Sequence, residues 1–143
     1  MRSKWMITWA VLLMLVAVSG YAETIRAMRV TVPFEFSIHD RVLPAGEYLV
    51  SQVSTNGVTV FSLRSREDQP AIYFLGTAIS RNSESGSASA VFHRYGNSYF
   101  LADLWWGGMF APGIDVPESK AERELAKTAS LRRPDQVVLL ASR

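Results

Sequence analysis

His39 and His93 are the only histidines in a chain of 143 residues that has no cysteine, and these two facts bound its chemistry early. Without a thiol, Cys-based catalysis, thiol redox work and Cys-ligated metal sites are all excluded. A metal held by His39 and His93 needs a third ligand, and the sequence points to none near either of them. His39-Asp40 reads instead as a turn, where an Asp side chain closes the backbone on itself. A Ser/His/Asp relay could be assembled from the many serines, His93 and Asp103. However, no Gly-x-Ser-x-Gly elbow is present to present a nucleophile. His93 lies in the middle of a predicted strand, which suits a packed, hydrogen-bonded imidazole. No catalytic residue, metal or cofactor is therefore expected.

The most unusual stretch is Leu104-Trp105-Trp106-Gly107-Gly108-Met109-Phe110. Trp105, Trp106 and Phe110 offer surface for stacking on a sugar ring or closing an apolar pocket, and the glycines permit unusual backbone angles. His93, Arg94 and Tyr99, on the adjoining hairpin, complete the candidate ligand-binding set. The competing reading is structural. Alternation sends the two tryptophans to opposite faces, one into the core and one beneath a C-terminal helix, where aromatic burial stabilises the fold. That reading is favoured.

Positioning these residues requires strands, and the dominant periodicity is two. Val30, Val32, Phe34, Phe36 and Ile38 alternate with polar residues as a half-buried strand does. Pro33 cannot donate to a ladder and favours an edge or a bulge. Leu43-Pro44-Ala45-Gly46 is a turn, followed by strands over 47–53 and 58–63 joined at Asn56-Gly57. A strand over 71–79 is apolar on both faces, and 81–89 reads as a solvated loop. Gly96-Asn97 is a two-residue turn of type II′. It pairs Tyr95 with Ser98, Arg94 with Tyr99, His93 with Phe100 and Phe92 with Leu101. Strict alternation then puts Asp103 on the Phe92 face and Leu104 on the His93 face. The one helical stretch, 118–131, carries a narrow stripe of Ala121, Leu125 and Ala129, so it is expected to lie on the domain surface. Pro134 ends it, and 137–140 is a short last strand. The fold class is all-β and mainly antiparallel, a small β-sandwich or barrel with one C-terminal surface helix.

The first 22 residues read as a cleavable signal peptide. Arg2 and Lys4 precede an apolar run, Met6 to Val18, in which Thr8 is the only polar side chain. Gly20 and Ala22 then supply the small residues that a cut between Ala22 and Glu23 needs. The run is short for a spanning helix, which wants about 20 residues. Residues 23–143 form one β-rich domain without a transmembrane span, located in the periplasm or outside the cell. Two of the 15 Lys and Arg fall before Glu23 and all 13 Asp and Glu fall from there onward, so the domain's side-chain charges cancel. A neutral domain without a basic stripe lacks the footprint of a nucleic-acid binder.

Several segments in order carry a resemblance: Val32-Pro33-Phe34-Glu35-Phe36, Leu43-Pro44-Ala45-Gly46-Glu47-Tyr48, Val91-Phe92-His93-Arg94-Tyr95-Gly96 with Tyr99-Phe100-Leu101, and Pro117-Glu118-Ser119-Lys120 with Arg123-Glu124-Leu125-Ala126. Together they resemble a family of short exported bacterial proteins of unknown function. The resemblance implies an exported β-rich domain with a C-terminal helix. It implies no activity and brings no catalytic residues.

Two functional classes follow. The first is a non-catalytic interaction or structural domain that meets an envelope protein. The second is a carrier of an apolar or sugar-like small molecule, and a hydrolase comes third. An enclosed apolar pocket favours the carrier, and a filled core beside exposed apolar surface favours the interaction domain.

Overall fold

A computed structural model describes residues 26–55, 58–67, 69–80, 86–108, 112–129 and 133–142. The predicted cleavage site at Ala22 and Glu23, the turn at Asn56-Gly57 and Phe110 lie outside the described residues.

The alternation read along the first strand decides what is buried. β1 (Ala27–Val32) buries Met28, Val30 and Val32 and turns Arg29 and Thr31 outward. Pro33, which lacks an N–H, stands where the run stops, and β2 (Phe36–Ile38) resumes with Phe36 and Ile38 buried. At His39, in the left-handed region at φ 52°, the chain reverses into β3 (Arg41–Leu43). β4 (Gly46–Thr55) and β5 (Val58–Ser65) make a long antiparallel hairpin, in register from Tyr48 opposite Ser65 to Thr55 opposite Val58.

The single strand expected over 71–79 is two short strands. β6 (Ile72–Phe74) pairs with β5, whereas β7 (Thr77–Ser80) pairs with β10 (Pro112–Asp115). The apolar residues that suggested a central strand serve two different neighbours. β8 (Ser89–Tyr95) and β9 (Ser98–Trp105) form the second hairpin, and β9 also receives β10 and a parallel contact from β2. The last strand, β11 (Asp135–Ser142), is longer than 137–140 and lies between β8 and β1. Backbone pairing on both edges extends it past the residues whose side chains advertise a strand.

The result is one curled, mainly antiparallel sheet, a half-barrel, with path order β3-β2-β9-β8-β11-β1-β4-β5-β6. The core fills its inner face. Phe36 meets Phe92 edge-on with centroids 5.3 Å apart and meets Tyr48 at 5.2 Å. Tyr48 closes its own turn by donating its hydroxyl to Pro44 O at 2.6 Å. Each such fully buried side chain contributes about 1.5–3 kcal/mol.

α1 (Lys120–Thr128) is the one helix among the described residues, shorter than the expected 118–131. Ser119 caps it, its Oγ accepting the Glu122 N–H at 3.0 Å. The expected docking stripe is not the face that packs. Ala121, Leu125 and Ala129 are exposed, and Glu122 is the buried residue of the helix. A polar anchor, Glu122 against His93 of β8, sets the rotation of the helix where the apolar stripe was expected to. No helix among the described residues is long and apolar enough to cross a membrane.

Candidate functional site

The β8–β9 hairpin carries most of the candidate residues. Gly96 sits at φ 63° and Asn97 does not share the positive angle, which is the type II′ pattern. The pairs are Tyr95 with Ser98, Arg94 with Tyr99, His93 with Phe100 and Phe92 with Leu101, as the two-residue turn requires. Beyond them the register shifts. A bulge at Ala102 leaves Val91 opposite Asp103 and Ala90 opposite Leu104. One extra residue exchanges the faces of everything after it. Leu104 therefore enters the core, and Asp103 joins the His93 face, the reverse of strict alternation.

On that outer face, His93 Nδ1 lies 2.8 Å from Glu122 Oε1 of α1. The imidazole is 22% exposed and the carboxylate 4% exposed. The bond to Glu122 raises the His93 pKa above its ordinary value. Burial opposes this, and Glu122, Asp103 and Glu118 add smaller upward pulls through their charges. Tyr95, on the same face, is raised by its burial and by Glu122 and Glu118. A His with Nδ1 on a carboxylate is the orienting half of a catalytic relay. Among the described residues no serine hydroxyl is bonded to His93, and the Ser119 Oγ accepts the Glu122 N–H as a helix cap. What the arrangement does is hold the helix: the charge-assisted bond ties α1 to the middle of β8.

The two tryptophans leave β9 on opposite faces, each 7% exposed. Trp106 belongs to the core cluster, with its ring 5.5 Å from Phe61. Trp105 lies across β10, where a Cβ on Gly113 would stand 2.5 Å from the indole ring, so only glycine fits opposite it. The loop glycines are tied as well, Gly108 N donating to Gly86 O at 2.8 Å. Arg94 is exposed, donates to Gly96 O at 2.8 Å and places its guanidinium 5.7 Å from the Tyr99 ring centroid. Tyr99 stacks on Phe34 at 3.9 Å, inside the sheet's curl. The candidate set is thus divided. His93 and Trp105 face outward, while Trp106 and Tyr99 face inward.

Two features escaped the sequence reading. Ser119-x-x-Glu122 is the pattern of a capping box and could have marked Glu122 as fixed at the helix start. The other is the outer face of the sheet at β11. Val138 and Leu140 are 56% and 74% exposed although their strand is internal to the sheet. Their neighbours on β8, Val91 and Ser89, are 3% and 6% exposed, covered on the side of the sheet that carries α1. Finding this contrast requires the strand order, which no local pattern encodes. Among the described residues no group of three or more acidic or histidine side chains could hold a metal ion. No family model, no curated protein and no solved structure matches this chain, so the functional reading rests on these residues and their geometry.

Proposed function

We propose that this chain is an exported, non-catalytic interaction domain that docks a partner protein on the outer face of its sheet at β11. The observation that carries the proposal is the exposure of Val138 and Leu140 on an internal strand, behind an inner face filled by interlocking aromatics. Single exposed apolar residues are ordinary, but two successive outward positions on an internal strand form a contiguous apolar strip. The strip continues toward Thr31 and Arg29 on β1, so it offers apolar contact with a cationic border. A partner that fits it presents apolar side chains and carboxylates. Export rests on the basic start, the apolar run to Val18 and the small residues before Glu23. The carrier reading draws less support, because both tryptophans are packed against protein.

Photo-cross-linking tests this reading. A photoreactive amino acid at position 140 or 138 should give one discrete adduct with an envelope protein. The same group at Ser37, on β2 and three strands away from β11 in the sheet order, should give none. Adducts absent at both strip positions, or equal at all three, would contradict the proposal.

A further inference from the structure

On the same outer surface, beginning on β1 beside β11 and extending to β5, lies a feature of different chemistry. The register places Arg29 of β1, Leu49 of β4 and Arg64 of β5 side by side in one row. The next row holds Glu47, beside Arg66, whose backbone N donates to Glu47 O at 3.1 Å. Together with Gln69 these residues line an open groove of about 520 Å³. Its charges do not balance. Glu47 is shared, with Oε1 3.0 Å from Arg29 Nε and Oε2 3.1 Å from Arg66 Nη1. Arg64 has no ion pair or side-chain hydrogen bond among the described residues. Among the described lining residues, three guanidinium groups stand against one carboxylate, an excess of two positive charges at one concavity.

We propose that this groove is a binding site for a phosphate monoester dianion, with Arg64 as its principal ligand and Arg29 and Arg66 as flanking donors. Guanidinium groups present planar, paired N–H donors that match phosphate oxygens. A phosphate monoester carries close to two negative charges at neutral pH, which the groove's excess neutralises. Glu47 holds Arg29 and Arg66 apart and pre-orders them, so less freedom is lost when the anion arrives. Leu49 provides an apolar wall beside the anion, suited to the carbon portion of an ester.

Isothermal titration of the full-length chain, in a phosphate-free buffer, tests the site with two probes. Inorganic phosphate supplies the anion alone. Dihexanoyl phosphatidic acid, kept below its micelle concentration, supplies the same group as a lipid headgroup, and dihexanoyl phosphatidylcholine, a zwitterionic phosphodiester of no net charge, is its control. Saturable binding of inorganic phosphate with equal affinity for the lipid assigns the site to the anion itself. Tighter binding of phosphatidic acid assigns it to an ester with an apolar tail. In either case Arg64→Gln should weaken binding by about tenfold, the effect of losing one charged hydrogen-bonding group. Arg41→Gln removes an exposed charge on β3, away from the groove, and should leave affinity unchanged. No saturable heat from either probe, or equal weakening by Arg64→Gln and Arg41→Gln, would overturn the proposal.

Discussion

Two carboxylate contacts of nearly equal length stand on the outer side of this sheet and differ in almost everything else. His93 and Glu122 meet at 2.8 Å with a carboxylate that is 4% exposed. Arg29 and Glu47 meet at 3.0 Å with a guanidinium that is 60% exposed. Distance therefore says little about strength. The buried carboxylate has given up water and depends on its one partner, whereas the exposed guanidinium keeps its hydration and is screened. The first pair is a structural latch that fixes α1 on β8. The second is an exposed contact, in which one carboxylate is shared between Arg29 and Arg66.

Removing the partner of the buried carboxylate should have the largest effect. His93→Ala strands Glu122 under the helix and should cost about 3 kcal/mol in urea unfolding, the lower part of the range for broken buried pairs. Glu122→Gln, which keeps a neutral hydrogen-bonding group, should cost about 1 kcal/mol. Equal losses for the two would show that packing, and not charge, holds the helix. The latch should also titrate. The pKa of His93 is raised in the folded chain, chiefly by Glu122, so its contribution is fully present below the unfolded value of about 6.5. It is lost as pH rises through the folded value. Unfolding free energies measured between about pH 6 and 9 should therefore fall relative to those of His93→Gln. Parallel curves for the two proteins would remove the latch from the account.

The exposed pair should respond weakly. Glu47→Gln should change stability by less than about 1 kcal/mol, as exposed pairs do. A larger loss would erase the distinction between the two sites. Smaller still is the effect expected at Leu125. An apolar helix stripe that docks would lose about 2 kcal/mol on Leu125→Ala. With Leu125 37% exposed and Glu122 making the contact, the loss should stay within about 0.5 kcal/mol.

The hairpins show how far local pattern reaches. Gly96-Asn97 fixed four consecutive pairs of β8 and β9, because turn geometry dictates the register beside it. It could not reveal the bulge at Ala102, which depends on where β10 and the core place Leu104 and Trp105. The fold class followed from alternation and turn residues, whereas the separation of β6 from β7 reflects pairing with two distant strands. At the candidate site, His93 was visible as a strand histidine, but its partner Glu122 is 29 residues away and on a different element. The Arg29, Arg64 and Arg66 groove is equally non-local, formed by the lateral order of β1, β4 and β5. Chemistry that depends on one strand or one turn is readable along the chain. Chemistry made between strands needs the order of the sheet.

The central claim is that the large side chains on the outer face of β11 serve contact with another molecule and not the fold of this one. Equilibrium unfolding of a Val138→Thr, Leu140→Thr double variant tests it most directly, since threonine is polar and has the β-branched shape that strands favour. A change within about 0.5 kcal/mol is expected, the range for surface positions. A loss of about 2 kcal/mol or more, typical of truncated core side chains, would show that these residues pack within the folded chain and would contradict the claim.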